Sequence, residues 1–274
     1  MHVRDEIPNQ DSSFVLHTPD DQANLFRQRS VTERRGARGL FAIGVFDGHG
    51  PRGHEASILA AERMKFALSR ISSDHKDLAL EDVVKQAFKE TAAALDSAPC
   101  SGDSGTTGSV AVVRDDDVVV ANVGDSAIYC VCRERWTRRP RTCYISPMHR
   151  PTDPAEAERV KSCGGRIQND YVVDEHAKQG IAVTRTIGDR DMREYGCVSE
   201  PAVHSFKLKR RDYAIVVASD GLWDVPDLDG EGAVFEAING FGIVPRIVCN
   251  RLHKIAGHQG GPTDDCTVAC MMFL

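Results

Sequence analysis

The chain has 274 residues, of which 41% are hydrophobic and 27% charged, a composition typical of a globular protein with a substantial core. A formal net charge of -6 argues against nucleic-acid binding, which usually requires a basic surface, and no apolar run approaches the length of a membrane span. The length favours one domain over residues 1–274, and an anionic substrate would need a local source of positive charge.

The first half of the chain predicts a core strand followed by two helices. Residues 21–39 are polar and aperiodic, which indicates a surface loop between a first and a second strand. The run GLFAIGVF at 39–46 is short and apolar apart from its glycines, and apolar residues then recur at helical spacing over 54–71 and 80–95. Asp47 is therefore expected at a strand-to-helix junction, at the rim of a core.

The second half is richer in strands. TGSVAVV, DVVVANV and AIYCVC are separated by RDDD and GDS, which resemble hairpin connections and predict antiparallel pairing. A helix follows that ends at Gly164 and Gly165, and later a strand at 212–219, helices near 231–238 and 244–256, and a last strand at 266–273. Runs of strands and runs of helices without strict alternation predict a layered α+β fold.

Carboxylates follow the ends of the apolar strands. Asp47 follows one strand, Asp220 follows another with the same Asp-Gly pattern, and the pair Asp264 and Asp265 precedes the last strand. Such positions can converge at one edge of packed sheets, where Mg²⁺ or Mn²⁺ would accept carboxylate oxygens and the carbonyl of Gly48. The alternative for each is structural, because an Asp-Gly pair is commonly a hairpin turn and the acidic pair could lie in a solvated loop.

Seven motifs occur in chain order: VFDGHG, GDSGTTGSVAVV, VVVANVGDSAIY, HRPTDPAEAERVKSCGGRI, AVTRTIGDRDMR, VVASDGLWDV and TDDCTVACMM. Together they resemble the metal-dependent Ser/Thr protein phosphatases of the PP2C type, and the match extends from about Asn9 to the C-terminus. The resemblance implies an α+β fold of four layers, an αββα sandwich in which helices flank two antiparallel β-sheets. It also implies two Mg²⁺ or Mn²⁺ ions in a cleft at one end.

The resemblance also implies a role for each matching residue. Asp47 would bridge two metal ions, Gly48 would offer its carbonyl to one of them, and Asp220 and Asp264 would complete the ligands of the other. A metal-bridging hydroxide would attack phosphorus in line, without a phosphoenzyme. His49 would protonate the departing Ser or Thr oxygen as general acid.

Other positions carry weaker implications. Asp125 resembles the family position linked to a third, weaker metal site, with the cap of a hairpin as its structural alternative. Thr106 and Thr107 match a structural motif. Arg185 and Asp189 are expected to form an internal ion pair beneath a substrate flap.

The N-terminal motif departs from the family pattern. Ile7 stands where the family usually has the arginine that binds substrate phosphate, and Gln10 stands where it often has a glutamate near the second metal. Asp11 matches the second acid and is expected to orient metal-bound water, and Arg4 is the candidate that could bind the phosphate instead. Because the chain begins almost on this motif, we expect a short first strand.

These observations favour hydrolysis of phosphoserine and phosphothreonine in protein substrates by a monomer. One alternative is a pseudophosphatase that binds partners without turnover, suggested by Ile7 and Gln10. Another is a phosphatase of the haloacid dehalogenase type, in which Asp47 would be phosphorylated. That family has a second Asp where this chain has His49, which argues against it.

The nine cysteines form no CxxC pair, and no secretory apolar segment precedes them. This usage predicts a reducing compartment, cytoplasmic or nuclear or both, and Cys130, Cys132 and Cys270 are expected as small core residues. Five arginines fall within residues 133–141. They indicate a solvated hairpin tip, with docking of acidic or phosphorylated partners as the alternative.

Overall fold

The structure is a computed structural model that describes residues 9–19, 32–33, 39–137, 139–176, 180–239, 244–258 and 264–273, with the backbone alone at 19 and 32–33. Its helices are α1 (Gly53–Asp74), α2 (Leu80–Asp96), α3 (Pro154–Ser162), α4 (Asp220–Trp223), α5 (Gly230–Ile238) and α6 (Pro245–His258), and a 3₁₀ helix spans Arg190–Tyr195. Its strands are β1 (Asp11–Pro19), β2 (Thr32–Glu33), β3 (Gly39–His49), β4 (Gly105–Thr106), β5 (Gly108–Arg114), β6 (Asp117–Val123), β7 (Ala127–Arg133), β8 (Pro140–Ile145), β9 (Arg166–Gln168), β10 (Tyr171–Val173), β11 (Gly180–Ile181), β12 (Ile187–Gly188), β13 (Ala202–Lys207), β14 (Asp212–Ala218) and β15 (Val268–Phe273).

The first sheet has the order β12-β4-β3-β5-β6-β13, with β1 paired to β3. All of its pairs are antiparallel, and the register of β1 and β3 places Asp11 opposite Asp47. The helices α1 and α2 cover one face, where Met64, Leu68 and Phe88 belong to one buried apolar cluster with side chains of the sheet.

The second sheet has the order β2-β15-β14-β7-β8. Its pairs are antiparallel except for β2 and β15, which run parallel. The helices α5 and α6 cover its outer face, where Val234 and Leu252 belong to the same cluster as Val216 and Met272.

A third apolar cluster lies between the two sheets and is built from alternate residues of facing strands. Ile43 and Val45 of β3 meet Ile215 and Val217 of β14, and all four are at most 2% exposed. Alternation places one side of each strand in this inter-sheet layer and the other side under the helices. The predicted α+β fold, an αββα sandwich with helices flanking two β-sheets, is therefore confirmed.

One predicted connection is wrong. The segment GDS was expected to join a hairpin, but β6 pairs with β5 and β13 whereas β7 pairs with β14 and β8, so this segment crosses from one sheet to the other. Gly124 has φ +93°, and a Cβ there would lie 2.6 Å from Thr107 Cγ2. The crossing therefore needs glycine, and it carries Asp125 to the gap between the sheets.

The strands near the N-terminus also differ from expectation. The first strand was expected to be short, but β1 has nine residues. The expected loop at 21–39 lies mostly outside the described residues, although Thr32–Glu33 within it forms a strand. Strand β3 continues through His49, so Asp47 belongs to the strand and does not follow it.

A small sheet of order β11-β10-β9 lies beside α3. Its core contains Val160, Val172, Met192 and Cys197, which places it over one side of the sandwich end where β3 and β14 finish. Within the ranges given above, no helix has the length and apolar character needed to span a membrane.

Candidate active site

A cleft of about 570 Å³ opens where the two large sheets and the small sheet meet. Asp47 and His49 reach it from β3, Asp220 from the start of α4, and Asp125 and Asp264 from connecting segments. Residues far apart in sequence thus converge at one end of the sandwich. The small sheet contributes Tyr171 and Ile181 to its wall, and Val183 just after β11 continues it.

Asp47 is fixed in place through its backbone. Its N–H donates to Thr107 Oγ1 at 3.0 Å, and its carbonyl accepts from the Thr106 hydroxyl at 2.9 Å and from the Thr107 N–H at 2.8 Å. Thr107 Oγ1 in turn lies 2.7 Å from Ser126 Oγ. These bonds satisfy the backbone of Asp47 and leave its carboxylate directed at the cleft, consistent with the structural role expected of the two threonines.

The carboxylates in the cleft are crowded and partly desolvated. Burial, with the neighbouring charges of Asp220 and Asp11, raises the pKa of Asp47 to about 11. Burial also raises the pKa of Asp11 and of Asp220 above their ordinary values. Such groups cannot all be ionised together unless a cation compensates their charge.

Two buried oxygens point to the same conclusion. Among the described residues, Asp11 Oδ1 and Asp220 Oδ1 are buried without a hydrogen-bond partner, although Asp11 Oδ2 accepts from the Ser219 hydroxyl at 2.8 Å. Buried polar atoms normally have a hydrogen-bond partner. These two atoms are hard carboxylate oxygens, the kind of ligand that Mg²⁺ and Mn²⁺ prefer. The residues present therefore fit divalent cations.

Gly48 lies where the backbone must pack tightly against its neighbours. A Cβ at this position would lie 2.2 Å from the Gly53 carbonyl oxygen and 2.7 Å from the Gln10 carbonyl oxygen. The Gly48 N–H donates to Gln10 O at 3.1 Å, and the Gln10 side-chain amide donates to Gly50 O at 3.3 Å. Gln10 therefore lines the cleft with its side chain held against the turn that follows β3.

The acidic pair before β15 lies next to Gln10. Asp264 lines the cleft, and Asp264 Oδ1 accepts from the Asp265 N–H at 2.7 Å. Asp265 Oδ2 accepts from the Gln10 N–H at 2.7 Å, which ties this pair to the start of β1. Arg4, the predicted phosphate-binding residue, lies outside the described residues.

His49 is paired with Asp189, a contact that the sequence analysis missed. His49 Nε2 lies 2.5 Å from Asp189 Oδ2, which also accepts from the Thr186 hydroxyl at 2.6 Å. Burial lowers the pKa of His49, but the Asp189 carboxylate outweighs this effect and the net pKa is raised. The side chain of Asp189 is 1% exposed and that of His49 is 28% exposed, so the pair joins a buried anion to an imidazole that reaches the cleft.

The predicted ion pair between Arg185 and Asp189 is wrong. Arg185 Nη2 instead bonds Glu156 Oε1 at 2.7 Å beneath the small sheet. Asp189 reaches His49 because β12 pairs with β4, which pairs with the end of β3. These two residues are 140 positions apart, and no local pattern predicts such a contact.

Arg150 is a second residue that the sequence analysis did not identify. Its guanidinium lies 3.0 Å from Asp125 Oδ2, 2.7 Å from Asp224 Oδ2 and 3.9 Å from Asp220 Oδ2. Burial and the charge of Asp220 raise the pKa of Asp125 to about 6, although Arg150 acts in the opposite direction. Asp125 therefore belongs to the carboxylate group of the cleft and does not cap a hairpin, and a fixed cation already lies beside it.

The fold and this cleft define a phosphatase-like αββα sandwich, and comparison with known proteins identifies the family. The family model "Protein phosphatase 2C" matches residues 18–229. The chain therefore belongs to the protein phosphatase 2C family, which confirms the resemblance and excludes the haloacid dehalogenase interpretation. The family is metal-dependent in general.

Curated relatives agree with this assignment. The chain is 29% identical over 211 residues to "Probable protein phosphatase 2C 72" of Arabidopsis thaliana, covering 69% of this chain and 62% of that protein. It is 32% identical over 199 residues to "Probable protein phosphatase 2C 64" of Oryza sativa subsp. japonica, covering 66% of this chain and 46% of the relative. The chain thus spans about half to three fifths of the length of these two relatives.

Solved structures show the same fold. A serine-threonine phosphatase 2C from Toxoplasma gondii superposes with a TM-score of 0.69 at 16% identity, covering 96% of this chain and 99% of that one. A bacterial serine phosphatase superposes with a TM-score of 0.62 at 18% identity, covering 97% and 92%. At these identities the likeness supports the fold alone.

Proposed function

We propose that this protein is a metal-dependent phosphatase that hydrolyses phosphoserine and phosphothreonine in protein substrates. The observation that carries the proposal is the group of crowded carboxylates with unpartnered oxygens in a cleft that also holds the His49–Asp189 pair. Family membership supports the same activity. A cleft of about 570 Å³ at the end of the sandwich is also suited to a phosphorylated side chain carried on a protein.

Two Mg²⁺ or Mn²⁺ ions would be held by residues already in the cleft. The ions would be held by the carboxylates of Asp47, Asp220 and Asp264 and by the Gly48 carbonyl. When bound, these ions supply positive charge for the phosphate oxygens and acidify the attacking water. This local charge accounts for attraction of a phosphate by a protein of net charge -6.

The protein groups around the ions position water and control charge. Asp11 lies opposite Asp47 in the β1–β3 register, just behind the cleft wall, with one oxygen on Ser219 and the other buried and unpartnered, so it can hold a water beside Asp47. Gln10 lines the same wall through a neutral amide. We therefore propose that one side of the metal site carries one negative charge fewer than it would with glutamate at position 10.

His49 would supply a proton at the leaving oxygen. Its Nε2 faces Asp189 and its pKa is raised by that carboxylate, which favours the protonated imidazole and fixes its orientation. An alkoxide from Ser or Thr is a poor leaving group and needs such a proton, so general acid catalysis here is expected to contribute roughly 100- to 10,000-fold.

Arg150 argues against a third, weaker metal site at Asp125. Because its guanidinium already contacts Asp125 and Asp224, a third cation would have to bind beside a positive charge. We propose that two ions suffice in this chain and that Arg150 compensates the charge of Asp125.

The test is hydrolysis of a phosphothreonine peptide during Mn²⁺ and Mg²⁺ titrations, with chelator added at the end. We expect activity that requires metal, and near-complete loss in Asp47→Asn and in Asp220→Asn at saturating metal with the fold retained. Asp116→Asn, at an exposed turn between β5 and β6, is the matched control and should behave as the parent. A metal-binding protein without turnover on any phosphopeptide would instead support the pseudophosphatase alternative.

A further inference from the structure

Three potential metal ligands lie together on the second sheet, away from the cleft. Cys132 is on β7, Cys143 is on the neighbouring β8, and Asp212 begins β14 on the other side. Strand β7 starts at Ala127, two residues after Asp125 of the cleft, and Cys132 lies five residues further along it, so at about 3.3 Å per residue the group lies roughly 17 Å from the end of the strand that adjoins the cleft.

The strand register explains why these side chains meet. Cys132 pairs with Asp212 on one side and with Arg141 on the other. Both pairings are irregular at this point, with shifts between Asp212 and Ala214 and between Cys130 and Val131. The irregularity in the pairing with β8 turns Cys143 toward Cys132, so that the two thiol sulfurs and a carboxylate oxygen all lie within 4.8 Å of one another.

The separation of these atoms is compatible with one bound ion. A tetrahedral Zn²⁺ with bonds of about 2.3 Å to sulfur holds two sulfurs ~3.7 Å apart, so small side-chain rotations close the present spacing. Cys132 is buried, Asp212 is half-buried and Cys143 is exposed. An ion could therefore enter from solvent, with three protein ligands and a fourth position open.

Surrounding groups favour the filled site. Two thiolates and a carboxylate give the Zn²⁺ complex a net charge of about -1 by simple addition of ligand charges. The positive charge of Arg141, which pairs with Cys132 across β7 and β8, would offset that charge.

We propose that Cys132, Cys143 and Asp212 form a metal site separate from the cleft, selective for a thiophilic divalent cation such as Zn²⁺. Thiolate ligands favour Zn²⁺ over Mg²⁺ and Mn²⁺, which prefer an all-oxygen set. Binding releases the two thiol protons to solvent and needs no oxidant. The ion links β8, β7 and β14, and it is independent of the proposed phosphatase activity.

The test is a Co²⁺ titration of the reduced full chain in saturating Mg²⁺, which occupies oxygen-ligand sites. We expect one equivalent of Co²⁺ to produce thiolate-to-cobalt charge-transfer absorption, and Zn²⁺ to abolish it by displacement. Oxygen ligands give no such absorption, so the readout separates this site from the cleft and does not depend on activity. The same titration should release protons, detectable in weak buffer.

Variants assign the ligands. Cys143→Ser should abolish the charge-transfer absorption, and Asp212→Asn should weaken Co²⁺ binding by about tenfold or more. Cys163→Ser changes an exposed cysteine just after α3 and is the matched control, expected to bind as the parent does. Circular dichroism of each variant in Mg²⁺ checks the fold. Because Cys143 is exposed, Cys143→Ser can test the site even if a substitution of the buried Cys132 prevents folding.

The proposal is overturned if no charge-transfer absorption develops, or if it persists in Cys143→Ser. It is also overturned if Cys163→Ser loses the absorption as Cys143→Ser does. A thiol titration of the unreduced protein that finds two fewer thiols, restored by reductant and insensitive to Zn²⁺, would assign Cys132 and Cys143 to a disulfide instead.

Discussion

The His49–Asp189 pair gives the sharpest test of the proposed proton donor. In Asp189→Asn the side chain keeps its shape and an acceptor oxygen but loses its charge. Asp189 has φ 45°, a left-handed conformation that asparagine tolerates well. The substitution should therefore remove the ionic part of the interaction without disturbing the backbone.

The size of the effect follows from the geometry. The 2.5 Å contact joins His49 to a carboxylate that is 1% exposed, and hydrogen bonds to charged groups contribute about 1.5–3 kcal/mol. If the imidazolium loses that stabilisation, turnover of a phosphothreonine peptide should fall by roughly 10- to 100-fold, since about 1.4 kcal/mol corresponds to tenfold. p-Nitrophenyl phosphate should lose much less, because its leaving group needs little protonation.

The assay compares turnover of both substrates at saturating Mn²⁺ for the parent, Asp189→Asn and His49→Ala. We expect both variants to lose more turnover on the phosphothreonine peptide than on p-nitrophenyl phosphate, and His49→Ala to lose more than Asp189→Asn. The control is Asp191→Asn, which changes an exposed carboxylate two residues away in the 3₁₀ helix. It should leave the ratio of turnover on the two substrates unchanged. Equal losses on both substrates in Asp189→Asn would refute the reasoning, since they would mean that Asp189 acts through the fold or the metal site.

Three further predictions concern metal affinity and stability. Gln10→Glu adds a negative charge at the cleft wall. It should lower the Mn²⁺ concentration that gives half-maximal activity, with little change in turnover at saturating Mn²⁺. If paired Mn²⁺ titrations give the same half-maximal concentration for the parent and the variant, Gln10 does not influence the metals. Burial favours protonation of Glu156, but hydrogen bonds from two arginines and a threonine outweigh it and lower its pKa to about 2, from 4.5 in the unfolded chain. Because the folded pKa is the lower one, the ionised group stabilises above pH 4.5 and this stability is lost as the pH falls toward 2. Glu156→Gln should therefore reduce the free energy of unfolding by about 1–3 kcal/mol at pH 7, and the difference from the parent in urea unfolding should shrink below pH 4.5; a difference that does not change with pH would contradict the argument. Gly124→Ala should lower the melting temperature, because a side chain at φ +93° costs about 1–2 kcal/mol and the new Cβ meets Thr107. Gly257→Ala in α6 is the control and should leave the melting temperature unchanged, because its Cβ meets nothing within 4 Å. Equal melting temperatures for the two variants would refute the argument that the crossover needs glycine.

The sequence predicts the carboxylates of the cleft well because the signal is local. Asp47 and Asp220 each stand at the end of an apolar run followed by glycine, and strands that end at one edge bring such residues together. The structure places both in one cleft with Asp264. Helix boundaries near residues 80–96 were also predictable, since α2 has a regular apolar face formed by Val84, Phe88 and Leu95.

The remaining contacts depend on pairings that the sequence does not display. GDS has the composition of a hairpin turn, but whether β6 and β7 pair is decided by which sheet buries each strand. The His49–Asp189 contact requires β4 and β12, which have two residues each and are too short to produce a periodic pattern. Arg150 is likewise recognisable only once Asp125 and Asp224 are placed around it.

One row of side chains along β3 runs from the core between the sheets into the cleft. Along β3, Phe41, Ile43 and Val45 point into the inter-sheet layer, and the two-residue period of a strand directs Asp47 and then His49 to the same side. The core ends where this row changes from apolar to ionisable residues, and Asp47 and His49 line the cleft. Because Ile43 and Val45 are at most 2% exposed, packing between the sheets holds the strand that carries Asp47. Cavity-forming changes such as Val45→Ala should therefore alter the spacing of the cleft carboxylates as well as the stability, because the same burial that holds the two sheets together fixes the geometry of the cleft.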